Sequence, residues 1–299
     1  MKKVLFINST QPQCGVYQYG KRVHDIVVKS KKYDFVYLEC PDIVTYRGAI
    51  VGYKPIAVIY NYHPLTMPWF NGEKYAGVRQ YQIHHEGTPH NNLHPDAYLF
   101  ADSVYPETDK IHALPRPLFE NLPNYTKPQI PTIGSFGFGF GNKNYGAITK
   151  MVNEQFPEAI LRLHIPRAYF GDREGQATSQ ILPGIQNEMT NSGIKLELTH
   201  DFMSTDDLLR FLGENTLNLF LYEEMHGRGL SSVIDYALSV DTPLGINTSY
   251  MFRHIYSEAI DADKTPLREI IANGSLPIEP YRLRWSHNAL IDKVEKIIT

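Results

Sequence analysis

Residues 217–250, LNLFLYEEMHGRGLSSVIDYALSVDTPLGINTSY, decide the fold class of this chain. The segment opens with the apolar run LNLFLY, which predicts a buried parallel strand. The polar, glycine-bearing EEMHGRG predicts a loop. From Leu230 onward, apolar residues recur at the spacing of a helix with one buried face, until Thr242-Pro243 ends the pattern and LGIN starts another strand. A strand, loop, helix and strand in this order predict a parallel α/β unit.

The loop of this unit lies at the carboxyl end of its strand. Backbone N–H groups and the positive end of the following helix can hold an anion such as a diphosphate at that place. Ser231 and Ser232 are the predicted phosphate ligands at the helix start, and Arg228 is a candidate cation within the loop. The alternative is an ordinary crossover in which one of the two serines only caps the helix.

The same pattern recurs outward from this segment. The chain begins with a predicted strand at 3–8, a loop at 9–15 and a helix at 17–30, and a second start follows at 132–135, 136–142 and 144–155. Strands alternate with helices, including a predicted helix at 72–79, so we expect two doubly wound parallel sheets. Five prolines between residues 115 and 131 predict an extended connector. The predicted domains are 1–128 and 129–282, with a C-terminal helix at 283–299 that we expect to pack on the first domain.

Composition narrows the class of protein. The 299 residues carry a net charge of −3, which gives no electrostatic argument for nucleic-acid binding. The two cysteines, Cys14 and Cys40, form neither a disulfide framework nor a zinc motif. No apolar run reaches the length of a membrane span, and the N-terminal apolar segment is too short for a signal peptide. These features predict a cytoplasmic protein without a membrane span.

Several local sequences, in order along most of the chain, resemble one family. CGVYQYGKRVHDIV at 14–27 resembles a first-domain glycine loop and helix, and YLFADSVYPETDKIHALPRPL at 98–118 resembles the end of that domain. IGSFGFGFGNKNYGAITKMV at 133–152 resembles a donor-side loop with its lysine, and 195–222 resembles the segment before the donor loop. Together they resemble nucleotide-sugar glycosyltransferases of GT-B fold, in the retaining, glycogen-synthase-like branch (group 1, family four).

This resemblance implies a fold and an activity. The fold would be α/β, with two Rossmann-like doubly wound domains facing a cleft. The activity would be transfer of a hexose-type sugar, with retention, from a nucleoside diphosphate donor bound by the second domain. The acceptor would be held by the first domain, and glycan, lipid, small molecule and modified DNA base all remain open. The resemblance implies no cofactor and no metal, although Glu223-Glu224 and the single D-x-D pair Asp261-Ala-Asp263 are the acidic pairs to weigh against that.

The family carries two glutamates eight positions apart, and this chain departs from the family at both positions. If Gly227, Gly229 and Leu230 align with the family's G-x-G-L, the first glutamate is replaced by His226 and the second falls near Asp235. Two alternatives follow from this departure. The protein could be a catalytically silent member that binds a nucleotide or a partner, or a sugar-nucleotide epimerase on the same fold.

The resemblance also assigns roles to single residues. Lys143 would face the diphosphate as a catalytic cation, with Arg167 and Arg228 as further cations; the alternative for Lys143 is a solvated lysine at a helix start. Glu224 or Asp235 would hold ribose hydroxyls, because a carboxylate accepts two hydrogen bonds in a fixed geometry. The complete predicted donor side is Gly137, Gly139, Lys143, Arg167, Glu224, His226, Arg228, Gly229, Leu230, Ser231, Ser232 and Asp235.

On the first domain, the resemblance places a histidine at the end of the fourth strand, close to the sugar. Strand alternation allows only one of His84 and His85 to face a cleft, and the prediction favours His85 because it adjoins the loop EGT. Gly15 would let the backbone of the first loop approach the reacting groups. A metal site built from His84, His85, His90 and His94 is the competing interpretation.

Overall fold

The structure is a computed structural model that describes residues 1–86, 93–167, 172 and 174–299. The chain forms two compact units. The first comprises Met1–Leu118, Gly227–Leu230 and Arg284–Thr299, and the second comprises Phe119–His226 and Ser231–Leu283. The domain boundaries expected after residues 128 and 282 stay predictions. No helix in the described part of the chain is long and apolar enough to cross a membrane.

The first unit contains a parallel sheet of six strands in the order β2-β1-β3-β4-β5-β6. Its strands are β1 (Lys2–Asn8), β2 (Tyr33–Glu39), β3 (Ala57–Asn61), β4 (Arg79–His84), β5 (Ala97–Phe100) and β6 (Ile111–Ala113). The helices along this unit are α1 (Gly15–Val27) and α2 (Ile43–Tyr53). The C-terminal helix His287–Ile298 belongs to the same unit.

Alternation along β1 separates two cores, because successive side chains of a strand point to opposite faces. Val4 and Phe6 pack in a cluster with α1 and the C-terminal helix. Leu5 and Ile7 pack in a second cluster that includes Tyr46 of α2. Both faces of the sheet are therefore covered, as a doubly wound fold requires.

The second unit contains a parallel sheet of five strands in the order β11-β10-β7-β8-β9. Its strands are β7 (Thr132–Phe136), β8 (Ala159–His164), β9 (Ile194–Thr199), β10 (Leu217–Phe220) and β11 (Leu244–Ile246). The helices, in chain order, are α3 (Tyr145–Gln155), α4 (Gln176–Glu188), α5 (Thr205–Gly213), α6 (Val233–Ser239), α7 (Leu267–Asn273) and α8 (Glu279–Arg284), and α9 is the C-terminal His287–Ile298. The predicted α/β class with two Rossmann-like parallel sheets is confirmed.

Three local predictions need correction. Residues 72–79 form no helix, because Gly72 and Gly77 adopt left-handed φ angles of 71° and 76° that interrupt helical backbone. The described residues between β3 and β4, and between β5 and β6, also contain no helix, so strands and helices do not alternate throughout the first unit. The helix expected from Leu230 begins at Val233 and is only seven residues long. At the start of α2, Asp42 is the N-cap, and its side chain accepts a hydrogen bond from the Thr45 N–H.

Candidate functional site

The loop after the central strand β7 has glycines, Gly137 and Gly139, where its backbone comes closest to neighbouring residues. Gly137 has a φ of 147°, which side chains rarely tolerate, and its N–H donates to the His164 carbonyl at 3.1 Å. A Cβ at Gly139 would lie 2.3 Å from Thr178 Oγ1, so only glycine fits there. The Tyr145 hydroxyl donates to the Gly137 carbonyl at 2.6 Å and holds the loop to the start of α3.

Lys143 bends back over this glycine loop. Its Nζ lies 3.8 Å from the centroid of the Tyr222 ring, a cation–π distance, and its Cε lies 3.7 Å from the place where a Gly137 Cβ would be. No carboxylate in the described part of the chain lies within ion-pair distance of the Lys143 ammonium. The structure thus brings Lys143 and Gly137 together at the carboxyl end of β7, and it adds Tyr222, which the sequence analysis missed.

The loop after β10 is tied to the loop after β11. The Asn247 side chain accepts from the Tyr222 N–H at 3.2 Å and donates to the Tyr222 carbonyl at 2.8 Å. The Glu224 carboxylate accepts from the Tyr250 N–H at 3.1 Å, and His226 Nδ1 lies 3.5 Å from a Glu224 oxygen. Glu224 and His226 are exposed. This loop therefore presents a carboxylate and an imidazole to solvent on a backbone fixed by hydrogen bonds.

The start of α6 has fewer hydrogen-bond donors available to an anion than the sequence predicted. The Ser231 N–H already donates to the Met251 carbonyl at 3.2 Å, and the buried Ser231 hydroxyl donates to the Tyr222 hydroxyl at 3.4 Å. Ser232 occupies the N-cap position without a side-chain cap bond. Asp235 is fully buried, with 0% of its surface exposed. Glu224 is therefore the more accessible of the two carboxylates predicted to hold ribose.

Arg167 lies at the exposed end of the segment after β8. Its Nε is 3.3 Å from the place where a Gly175 Cβ would lie, so the guanidinium rests against that glycine. The N-terminus of α4 beside it is occupied, because the Asp172 carboxylate accepts from the Ala177 and Thr178 N–H groups at 2.9 and 3.1 Å. Burial opposes ionisation of this carboxyl, but the backbone hydrogen bonds prevail and lower the pKa of Asp172.

Arg228, Gly229 and Leu230 belong to the first unit rather than to the unit that contains Lys143. The Arg228 guanidinium pairs with Glu86 at 3.3 Å, with both side chains about half exposed. A Cβ at Gly229 would lie 2.0 Å from the His85 carbonyl, so the close approach requires glycine. The donor-side grouping of these three residues stays a prediction.

His85 follows β4 directly and is half-buried. Its Nε2 lies 2.7 Å from Asn61 Oδ1, and its ring meets the Tyr19 ring edge-on at 5.3 Å. Loss of water around the ring, with smaller contributions from His63, His84 and Arg116, lowers the pKa of His85 to about 3. His85 is therefore neutral at physiological pH.

His84 and Gly15 complete the positions predicted on the first unit. His84, the last residue of β4, is buried, with its Nδ1 3.3 Å from the Gln82 side-chain nitrogen. Gly15 is the first residue of α1, which starts without a side-chain cap. Of the proposed histidine metal cluster, His90 lies outside the described residues. No group of three or more metal-ligating side chains occurs in the part of the chain that is described.

The residues that the sequence analysis missed share a simple signal. Asn8, Asn61 and His164 are each the last residue of a parallel strand, and Asn247 directly follows another. Polar residues at the carboxyl ends of strands are expected to line a ligand site in an open α/β sheet. The predicted strands 3–8, LNLFLY and LGIN end at Asn8, Tyr222 and Asn247, so their final residues would have identified these three. Asn61 and His164 were missed because the ends of β3 and β8 were not predicted to the exact residue.

Comparisons with known proteins address the fold. No family model matches the sequence, and no curated protein matches it. Among solved structures, Anabaena Alr3699/HepE in complex with UDP-glucose is similar with a TM-score of 0.67 at 10% identity, covering 99% of each chain. The lipopolysaccharide outer core galactosyltransferase WaaB is similar with a TM-score of 0.64 at 11% identity, again covering 99% of each chain.

A third similar structure is a mutant of S. aureus TarM in complex with Fondaparinux, alpha-GlcNAc-glycerol and UDP. It has a TM-score of 0.56 at 10% identity, with 81% of this chain covered, and the match spans 55% of the TarM chain. At these identities the likeness concerns the fold alone. Together with the two parallel sheets, it shows that this chain has the GT-B fold.

Proposed function

We propose that this protein is a glycosyltransferase that moves a sugar from a nucleoside diphosphate donor to a hydroxyl-bearing acceptor, with retention and without a metal ion. The observation that carries the proposal is the Lys143 ammonium. It lies over Tyr222 beside the glycine loop at the carboxyl end of the central strand, with no carboxylate of the described residues to neutralise it. That is the cation a departing diphosphate needs.

The second unit is assigned to the donor. The backbone of the loop 137–143 can approach phosphate oxygens closely because glycines leave it uncovered, and Lys143 supplies the charge. Glu224 is proposed to hold the ribose hydroxyls and His226 to lie beside the sugar. Arg167 is proposed as a further cation of this unit. Arg228, which belongs to the first unit and pairs with Glu86, is kept as a candidate cation.

The first unit is assigned to the acceptor, with His85 contacting the reacting groups. HepE is described in complex with UDP-glucose, and WaaB is described as a galactosyltransferase. These descriptions support a nucleotide-sugar donor and a hexose as the transferred group. Retention is supported by the resemblance of the glycine loop and its lysine to the retaining branch.

A catalytically silent nucleotide-binding protein is the second candidate. It is favoured by the two positions that align with the family's glutamates, because His226 replaces the first and the second falls at the fully buried Asp235. Such a protein would bind a nucleoside diphosphate through the same loop and turn nothing over.

The test is a panel of UDP-, GDP-, ADP- and dTDP-sugars, read first by thermal stability and then by release of nucleoside diphosphate. A true donor at a hundredfold excess over its dissociation constant should raise stability by about 2.7 kcal/mol. Stabilisation with slow hydrolysis of the sugar supports transfer, and stabilisation without any turnover supports the silent protein. An epimerised sugar nucleotide would indicate an epimerase, and the absence of any stabilising nucleotide would contradict both binding proposals.

A further inference from the structure

We propose that Asn61 is a positioning residue that holds the His85 ring in its Nε2–H tautomer and leaves Nδ1 as the hydrogen-bond acceptor of that ring. The consequence of this tautomer for catalysis rests on the proposed function, whereas the tautomer itself does not.

The orientation of the Asn61 amide follows from its partners. Its Nδ2 lies 2.8 Å from Asn8 Oδ1 and 2.7 Å from the Val16 carbonyl oxygen, and both of these atoms are acceptors. The nitrogen must therefore face them, and Oδ1 is the amide atom that faces His85. At 2.7 Å from an acceptor oxygen, Nε2 of His85 must carry the proton and donate it.

The amide has no freedom to flip. Asn61 is fully buried, and a Cβ on Gly20 would lie 2.3 Å from its Nδ2, so the α1 backbone packs directly on the amide. Asn8 is fixed in turn, because its Nδ2 donates to the Tyr17 carbonyl and its Oδ1 accepts from the Ser9 N–H at 2.9 Å. A flipped Asn61 would face two carbonyl-type oxygens with its own oxygen, leaving buried acceptors unpaired.

The charge state of His85 completes the argument. Desolvation of the ring and the neighbouring His63, His84 and Arg116 disfavour the imidazolium. A neutral imidazole carries one proton, so protonation of Nε2 leaves a lone pair on Nδ1. That lone pair can accept a hydrogen bond from a substrate hydroxyl and orient the hydroxyl oxygen, whereas the other tautomer would present an N–H donor instead.

Nitrogen NMR of the full-length protein labelled with 15N-histidine tests the proposal directly, because protonated and unprotonated ring nitrogens have widely separated shifts. The His85 signals are identified by their loss in His85→Gln. His200 serves as an internal control of opposite sense, since its Nδ1 lies 2.9 Å from the Ile165 carbonyl and must carry the proton. We expect a protonated Nε2 and a bare Nδ1 for His85 at neutral pH, with the tautomers in a ratio of at least about ten. An Nδ1–H tautomer or an imidazolium overturns the proposal.

The role of Asn61 is tested by Asn61→Leu, which keeps the volume and removes the acceptor. The tautomer ratio of His85 should fall about tenfold, with His200 unchanged. An unchanged ratio in a folded variant overturns the assignment to Asn61. If Asn61→Leu does not fold, Asn61→Ala takes its place, because the smaller side chain removes the same acceptor without pressing on the Gly20 backbone. The tautomer ratio of His85 should fall in the same way, and an unchanged ratio overturns the assignment.

Turnover is a separate readout. If the protein transfers a sugar, a folded Asn61 variant should lose kcat while the KM for the donor stays the same, because the donor site contains no part of this network. If no donor is turned over, the proposed function fails while the tautomer result still stands or falls by itself.

Discussion

The carboxyl edges of the two sheets are built in opposite ways. In the first unit the neutral His85 ring is held by a hydrogen-bond network in which the buried Asn61 and Asn8 are amide links. In the second unit the glycine loop carries the half-buried Lys143 ammonium, which has no carboxylate partner among the described residues, and the exposed Glu224 lies on the loop after β10. A neutral hydrogen-bond network orients a ring, whereas an unneutralised ammonium attracts an anion. The difference supports the proposal that the second edge binds a charged ligand and that the first positions an uncharged one.

The largest expected effect concerns the backbone of the second edge. Gly139→Ala places a Cβ 2.6 Å from the Thr178 Cα, a backbone atom that cannot move aside. We expect a loss of about 3 kcal/mol in the free energy of unfolding, from overpacking between the loop and α4. Chemical denaturation measures the loss.

Gly141→Ala is the matched control in the same loop, because a Cβ there meets nothing within 4 Å and its φ is not left-handed. Equal stability of the two variants would contradict the account of the loop as a backbone surface that requires glycine.

The next effect is electrostatic. Lys143→Ala should weaken binding of a nucleoside diphosphate by about 2 kcal/mol, because a charge-assisted contact is lost, and it should leave the fold intact. Calorimetric titration measures the change. Lys150→Ala, on the exposed side of α3, is the control and should bind like the wild-type protein, since Lys150 lies 60% exposed with Glu154 as its ion-pair partner. Equal affinities of the two variants would assign Lys143 to the solvated helix start.

The pH dependence of stability also tests the comparison, because the second unit contains a buried neutral histidine as well. Burial, followed by repulsion from His200, lowers the pKa of His164 to about 4. The unfolded chain titrates near pH 6.5 and binds more protons between these values, so stability should fall as the pH drops from 6.5 to 4. The slope from this group is at most about 1.4 kcal/mol per pH unit.

His164→Gln should flatten this slope in denaturation curves taken between pH 7 and 5. His226→Gln, whose ring is 82% exposed, is the control and should keep the wild-type slope. An unaltered slope in His164→Gln would show that His164 is not held neutral.

The smallest expected effect is that of metal removal. Asp261 of the D-x-D pair is fully buried and accepts from the Tyr256 hydroxyl at 3.1 Å, and Glu224 is engaged by the Tyr250 N–H. Lys143 is proposed to supply the positive charge instead. Nucleotide-sugar turnover should therefore persist in EDTA. Complete loss of turnover that magnesium or manganese restores would identify Glu223-Glu224 as the first ligands to examine.

Hydrophobic periodicity was sufficient to predict most strands and helices, because the spacing of apolar residues shows which face of an element packs against the core. It predicted β10, the loop and β11, and it misplaced the start of α6 by three residues because Leu230 continues the apolar spacing without helical backbone. The helix predicted at residues 72–79 is wrong because Gly72 and Gly77 adopt left-handed φ angles, which the hydrophobic pattern does not reveal. Local backbone geometry of this kind leaves little trace in a hydrophobic pattern.

Candidate site residues could be named from the sequence where a residue type carries its own chemistry, as with Lys143 and His85. A role that depends on partners far away in sequence could not be predicted in this way. Asn61 contacts His85, which lies 24 positions further along the chain. Lys143 contacts the Tyr222 ring, which follows the neighbouring strand of the sheet. The burial of Asp235 could not be predicted either, because all seven residues of α6 are buried, the polar ones included.

Hydrogen–deuterium exchange with and without UDP, GDP, ADP and dTDP tests the central claim most directly, because it locates the bound diphosphate on the chain. We expect at least one nucleotide to slow exchange in residues 136–145 and 222–226, and Lys143→Ala to abolish that protection at the same nucleotide concentration. Protection confined to other segments, or none with any of the four nucleotides at saturating concentration, would contradict the assignment of the second unit as the donor site.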